Sequence, residues 1–310
     1  MPPLFSLLIA AYNSESTLAE TLDSLLGQTD ARWEAIVVDD GSSDHTAVVA
    51  ERYAVADARI RVIRQANAGA AMARNAAAEV ASGGWLCALD ADDLLVPEAF
   101  ERQAAFIEAH PGYDLYSWGS LKLLHDGSRV PFDESAEYRS VGSFGLADLI
   151  DHNRILSNTL IASSTFADVG GFHDTYVEDY DLWLRVLHAG GRHLHNPELL
   201  AVYRMREDSK STDSVRAMAG TADVLESFSD TPGLAPDLGA LAREHAAYWR
   251  SWAARTELDA CLAAGEYDRA RSLARPARAT FPPGVRSRLG MLLLSMSPSA
   301  YARYKQRRAG

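Results

Sequence analysis

The first hundred residues alternate short apolar runs with segments of helical spacing. The apolar runs are Leu4–Ala11, Ala35–Val38, Ile60–Ile63 and Trp85–Leu89. Because polar and apolar positions do not alternate within them, they are typical of strands buried on both faces of a parallel sheet. Helical patterns fill the intervals, at Leu18–Leu26, Thr46–Tyr53 and Ala70–Ala81. This order of elements predicts an α/β fold with a mostly parallel, doubly wound sheet.

The remainder of the chain carries fewer strands and then changes composition. We predict a strand at Asp114–Leu124 and, after a turn at Asp126-Gly127, a second strand paired with it. A short strand at Thr159–Ser163 precedes an amphipathic helix over Glu178–Ala189. From about Val215 the chain is rich in Ala, Leu and Arg, which predicts that residues 215–310 are helical.

Composition and charge exclude several classes of protein. The chain has 30 Lys and Arg against 42 Asp and Glu, a net charge of −12, which argues against sequence-independent binding of nucleic acid. Two cysteines, Cys87 and Cys261, are too few for a disulfide framework or a four-thiolate zinc site. No apolar run approaches the roughly 18 residues of a membrane span. The start, Met1-Pro2-Pro3-Leu4, lacks the basic region of a secretory signal, so we expect a cytoplasmic protein.

The charge is concentrated unevenly along the chain. After Asp268 there is no acidic residue but ten basic ones. Residues 269–310 therefore carry +10, and residues 1–268 carry −22, since the whole chain carries −12. This basic tail could fold back on the acidic surface of its own chain, or it could meet an anionic membrane surface or a lipid-linked substrate.

Acidic residues follow the predicted strands at the end where ligands bind in doubly wound sheets. The second strand is followed by Asp39-Asp40 and the fourth by Asp90, Asp92 and Asp93. Packed together without a cation, these carboxylates would repel one another. The Asp90-x-Asp92 pattern suits a hard cation such as Mg²⁺ or Mn²⁺ bound together with substrate phosphates, although a solvated turn that caps the next helix would show the same pattern. Neither a Gly-x-Gly-x-x-Gly motif nor a phosphate-binding Walker loop is found, which argues against a dehydrogenase or a Walker-type enzyme.

A series of short motifs makes the functional interpretation more specific. In chain order they are Ser6–Asn13 (SLLIAAYN), Gln28-Thr29, Val37–Asp44 (VVDDGSSD), Asn67–Gly69 (NAG), Ala73–Asn75 (ARN), Leu89–Asp93 (LDADD), Gly170–Phe172 (GGF) and Glu178–Arg185 (EDYDLWLR). In this order and at this spacing, over about residues 3–210, they resemble the family 2 inverting glycosyltransferases of the GT-A fold. The resemblance implies a nucleotide-sugar donor, most often a UDP-sugar, a divalent cation and a place in polysaccharide biosynthesis.

The resemblance also implies roles for individual residues. Asp92, the second acid of a DXD motif, would ligate the metal, and Asp179 matches the catalytic base of the family. Arg74 would approach the diphosphate or the ribose, and Asp90 would hold the ribose or the sugar. The nucleotide-sugar site as a whole would consist of Ala10, Tyr12, Asp40, Asn67, Arg74, Asp90, Ala91 and Arg206.

The chemistry of the reaction fits a single side-chain base. A glycoside hydrolase needs a second carboxyl group to protonate the leaving oxygen, whereas a nucleoside diphosphate leaves as an anion whose charge a metal can take up. Asp179 lies at the predicted start of a helix, where the helix dipole favours its ionised form. It could equally be a plain N-terminal helix carboxylate, since Glu178 and Asp181 flank it. Trp183, one turn later, could stack on an acceptor sugar or pack in the core.

One position departs from the family pattern. Many relatives carry a histidine shortly after a Tyr-Arg pair, whereas here Tyr203-Arg204 is followed by Arg206. Arginine cannot ligate a metal, so we expect Arg206 to bind the diphosphate instead. His193 and His195, two positions apart on a probable strand, are expected to be structural.

These features together predict a metal-assisted, inverting glycosyltransferase in three segments. Residues 1–100 would bind the nucleotide sugar, residues 101–214 the acceptor, and residues 215–310 would form a helical extension with the basic tail. The acceptor would be the hydroxyl of a glycan, a lipid-linked saccharide or a small molecule. The enzyme would act in the cytoplasm, or at the inner face of the membrane through its tail, and could form a homodimer. The missing histidine leaves a second interpretation, a non-catalytic nucleotide-sugar-binding protein of the same fold.

Overall fold

The structure, a computed structural model, describes residues 3–124, 126–132, 139–155, 158–205 and 213–277. Arg206 and residues 278–310 of the basic tail lie outside the described residues. By the contacts between Cα atoms, the chain divides into two compact units, residues 1–207 and residues 208–310. Each unit is described by itself below.

The first unit contains all the strands that the structure describes. The strands are β1 (Phe5–Ala11), β2 (Trp33–Asp40), β3 (Ile60–Gln65), β4 (Trp85–Ala88), β5 (Leu94–Leu95), β6 (Leu115–Leu123), β7 (Arg129–Pro131), β8 (Leu160–Ala162) and β9 (His193–Arg204). Its helices are α1 (Leu18–Leu26), α2 (Thr46–Ala56), α3 (Ala70–Val80), α4 (Ala99–Ala109), α5 (Leu146–Asp151), α6 (Ser163–Asp168) and α7 (Glu178–His188). The strands and helices predicted from the periodicity of the first hundred residues are all present.

The strands form one mixed sheet in the order β3-β2-β1-β4-β8-β6-β9-β5, with β7 paired to β6. The first four strands along the chain run parallel to one another. In the second half, β8 is antiparallel to both of its neighbours, β6 and β9 are parallel, and the short β5 is antiparallel to β9. The chain moves outward from β1 to β3 and then returns to the other side of β1 at β4. The carboxyl ends of β1 and β4 therefore flank a topological switch point, the usual location of a ligand site in such sheets.

The core explains why the first strands lack polar alternation. Every residue of β2 is buried, and six of the seven residues of β1 are buried as well. Helices cover the sheet, and Leu18, Leu22 and Leu25 of α1 are fully buried in the same apolar cluster as β1 and β2. This packing fixes the ends of β1, β2 and β4, and with them the loops that carry the acidic residues.

The second unit is helical where the structure describes it. Its helices are α8 (Ser214–Phe228), α9 (Pro236–Ala264) and α10 (Tyr267–Ala277), and α9 packs against both of the others. Asp213 caps α8 by accepting a hydrogen bond from the N–H of Arg216 (3.1 Å). The end of α9 is set by Gly265, whose φ of 76° is the left-handed conformation typical of a helix C-cap. No helix in the described part of the chain is long and apolar enough to cross a membrane.

Candidate active site

The loops that follow β1, β2 and β4 lie at one edge of the sheet. Ala11 at the end of β1 is in register with Asp39 of β2, and Leu8 of β1 is in register with Ala88 of β4. Since these strands are parallel and adjacent, the motifs around Tyr12, Asp40 and Asp90 converge there, as the sequence predicted. Ala10 is partly buried at the end of β1, and Ala91 is buried just after β4.

The loops after β1 and β2 are fastened to each other. Asn13 adopts the left-handed backbone conformation, with φ of 49°. Its side-chain oxygen accepts a hydrogen bond from the N–H of Ser43 (2.9 Å), and its own N–H donates to the hydroxyl of Ser42 (3.0 Å). Tyr12, the preceding residue, leaves its side chain 53% exposed. The loop is thus rigidly held while the Tyr12 ring faces solvent, as a ring that stacks on a ligand would.

Asp40 is buried, and three internal donors occupy its carboxylate. Oδ1 accepts hydrogen bonds from the side-chain amide of Gln65 (2.8 Å) and from the N–H of Ala68 (2.9 Å), and Oδ2 accepts one from the N–H of Gly69 (2.8 Å). An ionised carboxylate has about four acceptor positions, so little capacity remains for a ligand. Sequence analysis placed Asp40 in the nucleotide-sugar site, and the structure shows that its carboxylate also holds the turn before α3.

This turn approaches the loop after β2 so closely that only glycine fits there. Gly41 has φ of 73°, and a Cβ atom added to it would lie 2.8 Å from the backbone nitrogen of Asn67. Asn67 itself is exposed. Its side chain therefore lies at the rim of the crevice, while its backbone is fixed by Gly41 and by the neighbouring contacts of Asp40.

Arg74, on α3, joins the acidic turn Asp90–Asp93 to the start of α7. Its buried guanidinium donates from Nη2 to Oδ1 of Asp90 (2.5 Å) and from Nη1 to Oε1 of Glu178 (2.6 Å). Burial alone would lower the pKa of Arg74, but the charges of Asp90 and Glu178 outweigh it and raise the pKa. Arg74 was expected to approach the diphosphate or the ribose. The structure places it as an ion bridge between the two acidic segments.

The three acidic residues at the start of α7 have different partners. Glu178 is buried and paired with Arg74. Asp181 forms ion pairs with Arg185 (2.8 Å) and His173 (3.0 Å). Asp179 accepts one hydrogen bond, from the N–H of Tyr180 (2.7 Å), and has no ion-pair partner among the residues the structure describes. The structure therefore singles out Asp179 as the carboxylate that is not already neutralised.

The environment of Asp179 raises its pKa to about 6. Burial is the largest cause, and the neighbouring negative charge of Glu178 is the next. The hydrogen bond from Tyr180 and the charge of Arg74 act in the opposite direction but do not prevail. We expected the helix N-terminus to favour the ionised form; burial and the charge of Glu178 act in the opposite direction. A carboxylate with this pKa is a stronger base than an ordinary aspartate.

The acidic turn is held in place from β9. The N–H of Arg204 donates to Oδ1 of Asp93 (3.0 Å), its Nε donates to the backbone oxygen of Asp92 (3.0 Å), and its Nη2 donates to Glu20 on α1 (2.5 Å). Burial first, and then the charge of Asp90, raises the pKa of Asp93 well above its usual range. The turn thus brings three carboxyl groups close together, and the charges of Asp90 and Asp92 both act on Asp93.

The donor set of this turn fits a divalent cation shared with a substrate. No group of three or more His, Cys, Asp or Glu side chains that could hold a metal ion occurs in the described residues. Asp90 and Asp92 nevertheless offer carboxylate oxygens in a turn with excess negative charge. Mg²⁺ and similar hard cations are commonly bound by one or two carboxylates together with substrate phosphates. The turn is therefore suited to a cation whose remaining ligands come from a phosphate-bearing compound.

The turn that precedes α7 is shaped by a side chain of α3. Asn75 accepts a hydrogen bond from the N–H of Phe172 (2.9 Å) and donates one to the carbonyl oxygen of the same residue (2.8 Å). Gly171 has φ of 72°, and an added Cβ atom would lie 2.8 Å from the Asn75 side-chain oxygen. The ring of Phe172 lies 5.7 Å from the Arg74 guanidinium. Arg74 thus forms the ion bridge, and the adjacent Asn75 holds the turn that precedes Asp179 in the chain.

The prediction that Trp183 binds the acceptor is not supported by its position. Trp183 is 1% exposed, so its ring belongs to the core and cannot stack on a sugar from solvent. His193 and His195 are also buried, and both hydrogen-bond the hydroxyl of Ser117, at 2.8 and 3.0 Å. Arg206, the expected diphosphate ligand, lies outside the described residues.

Sequence analysis missed three residues that organise the site: Glu178, Arg204 and Asn75. Each was part of a quoted motif, but no role was assigned to it. Their partners are distant in sequence, as in the pair Arg74–Glu178, which is separated by 104 positions. The sequence carried no signal for these contacts, because it does not show which side chains are buried.

The sequence was also compared with known proteins. The family model described as Glycosyl transferase family 2 matches residues 6–121. The chain is 30% identical over 237 residues to Escherichia coli WfgD, which is named as a UDP-Glc:alpha-D-GlcNAc-diphosphoundecaprenol beta-1,3-glucosyltransferase. That alignment covers 74% of this chain and 88% of WfgD.

Two solved structures share the fold. Staphylococcus aureus TarS in complex with UDP-GlcNAc has a TM-score of 0.64 at 21% identity, over 80% of this chain and 71% of the TarS chain. The mannosyltransferase PcManGT from Pyrobaculum calidifontis, in complex with GDP-Man and Mn²⁺, has a TM-score of 0.62 at 18% identity, over 98% of this chain and 88% of the PcManGT chain. At these identities the likeness is one of fold.

Proposed function

The chain belongs to glycosyl transferase family 2, and we propose that it transfers a hexosyl group from a UDP-sugar to a hydroxyl group of a lipid-linked saccharide, with inversion at the anomeric carbon. The family and the GT-A fold that the motifs predicted are confirmed by the match to WfgD and by the solved structures of the same fold. The protein is therefore a glycosyltransferase. The donor, the acceptor and the catalytic residues constitute the proposal.

The donor binds at the switch point between β1 and β4. The exposed ring of Tyr12 stacks on the base, and the rim residue Asn67 and the acidic turn contact the ribose and the sugar. Asp40 acts by fixing the turn that carries Asn67, rather than by direct contact. A UDP-sugar is favoured because WfgD is named for UDP-Glc and TarS was solved with UDP-GlcNAc.

A divalent cation would be held by Asp92 together with Asp90. When bound, Mn²⁺ or Mg²⁺ supplies positive charge that offsets the charge developing on the departing diphosphate. PcManGT, which shares the fold, carries Mn²⁺ in its complex. Arg206 is proposed to contact the diphosphate as well.

Asp179 is the general base. Its carboxylate accepts the proton of the acceptor hydroxyl while the hydroxyl oxygen bonds to the anomeric carbon and the bond from that carbon to the diphosphate breaks. With a pKa of about 6, the carboxyl group is mostly ionised at neutral pH and yet basic enough to assist the transfer. One base suffices, because the diphosphate leaves without a proton.

A single observation carries this assignment. Arg74 binds Asp90 on one side and Glu178, the neighbour of Asp179, on the other. The buried guanidinium of Arg74 therefore hydrogen-bonds both the acidic turn Asp90–Asp93, where the donor is proposed to bind, and α7, which carries the proposed base. Had Asp90 and Asp179 lain on separate faces of the molecule, the reaction could not have used both.

We propose the acceptor by analogy with the relative WfgD. The substrate in the name of WfgD is a sugar on a diphosphoundecaprenol lipid, and a saccharide on such a carrier would present its hydroxyl at a membrane surface. This choice places the enzyme at the cytoplasmic face of the membrane. It also agrees with the +10 charge of residues 269–310, which would be attracted to anionic lipid.

The test is Asp179→Asn, assayed for sugar transfer and, by calorimetry with Mn²⁺, for binding of UDP-sugar. We expect transfer to fall by about three orders of magnitude or more, with donor affinity nearly unchanged. Asp181→Asn is the matched control, because it removes a carboxylate from the same turn of α7 and should retain most of the activity. Equal loss of binding and transfer in Asp179→Asn would assign the residue to structure.

A further inference from the structure

The longest helix of the second unit has two different faces. One face is lined by the small residues Ala242, Ala246 and Ala253, which are buried in the unit. On the opposite side, Tyr248 is 49% exposed and Trp252 is 42% exposed. We call the row formed by His245, Tyr248, Trp252 and Arg255 the aromatic face of α9.

The members of the aromatic face are spaced by three, four and three residues, so that they lie one above the other along the helix. Their rings are in contact: the centroids of His245 and Tyr248 are 6.4 Å apart, and those of Tyr248 and Trp252 are 6.3 Å apart. The guanidinium carbon of Arg255 lies 5.4 Å from the Trp252 ring centroid. The face is thus continuous, with aromatic rings along its length and a cation at one end.

Tyr248 and Trp252 thus form a row of exposed aromatic rings. Among the described residues, α9 packs on α8 and α10, and its small residues Ala242, Ala246 and Ala253 are buried. Such rings, apolar with one polar atom, are favoured where an apolar phase meets water, as in the headgroup region of a lipid bilayer.

Three observations select a membrane surface over other partners. The rings of Tyr248 and Trp252 meet at an interplanar angle of 63°, so they do not form the flat platform on which a sugar chain would stack. Their exposed area is about 200 Å² in all, so a stable dimer, which buries roughly 800 Å² per partner, would need much more surface than this row. The segment that follows the helix, residues 269–310, carries +10, while the preceding 268 residues carry −22.

We propose that the aromatic face of α9 docks on an anionic membrane surface, with Tyr248 and Trp252 in the headgroup region and Arg255 beside the lipid phosphates. Because residues 1–268 are strongly acidic, attraction to an anionic surface has to come from the basic segment after them. The aromatic side chains add an apolar contribution that does not depend on salt. The proposal does not depend on the transfer reaction, and its test measures binding alone.

The experiment is flotation of the full chain with vesicles of phosphatidylcholine, with and without phosphatidylglycerol. We expect the wild type to float with the anionic vesicles, and the Tyr248→Ala/Trp252→Ala double variant to lose about tenfold or more of this binding. The matched control is Val48→Ala/Val55→Ala, which trims side chains that are 61% and 90% exposed in the first unit and should float like the wild type. Thermal melts of the variants report whether they are folded.

A second readout uses the tryptophan itself. Brominated lipid should quench the fluorescence of the wild type, and Trp252→Phe, which keeps an aromatic ring, should still float but lose most of the quenching. The proposal is overturned if the wild type does not float, if the double variant floats as well as the wild type, or if bound protein shows no quenching that depends on Trp252. It is equally overturned if sedimentation shows a wild-type dimer that the double variant loses while neither protein binds vesicles.

Discussion

The structure contains two acidic pairs whose surroundings differ. One is Asp39-Asp40 after β2, and the other is Glu178-Asp179 at the start of α7. Both residues of the first pair are buried and occupied: Asp40 accepts three internal hydrogen bonds, and Asp39 accepts one from Ser42 and lies 3.6 Å from the nearest side-chain nitrogen of Arg64. In the second pair only Glu178 is neutralised, by Arg74. Asp179 keeps an unpaired carboxyl group with a raised pKa.

The difference shows how one of two adjacent carboxylates can have a structural role while the other is available for chemistry. A buried carboxylate that accepts several internal hydrogen bonds serves to fix a loop. A carboxylate next to such a residue, partly buried and without a cation of its own, is held at a higher free energy when ionised and is therefore a better base. If this interpretation is right, variants in the two pairs should fail in different ways.

After the loss of transfer in Asp179→Asn, the largest effect is expected at Arg74, which connects the acidic turn Asp90–Asp93 with the second pair. Arg74→Met removes the cation shared by Asp90 and Glu178, so both carboxylates lose this buried partner. We expect transfer to fall by about two orders of magnitude or more, because the acidic turn and the start of α7 lose the contact that holds them in position. The apparent pKa of Asp179 should also rise, because Arg74 lowers it. Measurement of kcat/KM against pH tests both effects, and an unchanged profile with full activity would contradict them.

A smaller effect is expected for variants of the first pair, Asp39-Asp40, and it should be a loss of stability. Asp40→Asn replaces an acceptor for two backbone N–H groups, and we expect a loss of about 1.5–3 kcal/mol in the free energy of unfolding. Asp39→Asn, with a single hydrogen bond at 3.2 Å, is the matched control and should lose less. Urea unfolding of both variants measures the difference, and the reverse order would mean that Asp40 does not hold the turn.

Asp179→Asn should make the protein more stable while it removes activity. The folded-state pKa of about 6 lies above the usual value of 3.8, so ionisation of Asp179 opposes folding. This cost builds up as the pH rises from about 4 to 6 and is fully present above 6. Since Asp179 is partly exposed, we expect a gain of about 1–2 kcal/mol at pH 8 and none near pH 4. Equal melting temperatures of the two proteins at pH 8 would argue against a strained carboxylate.

The smallest effect is expected for Glu178→Gln. After burial, the charge of Glu178 is the main cause that raises the pKa of Asp179. Its removal should shift the acidic limb of the pH profile of kcat/KM to lower pH, while glutamine retains an acceptor for Arg74. A shift to higher pH would show that Glu178 acts mainly by orienting Arg74.

The sequence was sufficient to predict that the acidic motifs meet at one edge of the sheet. Apolar runs without alternation indicated buried parallel strands, and the acidic residues at their ends were therefore expected at one edge of the sheet. The family resemblance added the catalytic assignment of Asp179, which stays a prediction. The two-residue strand β5 was missed, because two leucines carry no periodicity and their pairing with β9 depends on residues more than a hundred positions away.

The partners inside the site could not be predicted from the sequence. The motif position of Arg74 suggests a ligand contact, but whether a guanidinium meets a phosphate or a carboxylate depends on what α7 places beside it. The direction of the pKa shift of Asp179 was likewise hidden, because the helix dipole is visible in the sequence and burial is not. Trp183 illustrates the same limit, since its spacing from Asp179 fits a ligand-facing position as well as a core position.

The most direct test of the central claim, that Asp179 is a base poised by its surroundings, is the pH dependence of kcat/KM for the wild-type enzyme at saturating Mn²⁺. The ionised form is the active one, so the rate should be constant above neutral pH and fall tenfold per pH unit below a pKa of about 6. Asp179→Asn should show no such limb in its residual activity. A wild-type profile that stays flat down to pH 4.5, or the same limb in Asp179→Asn, would contradict the account.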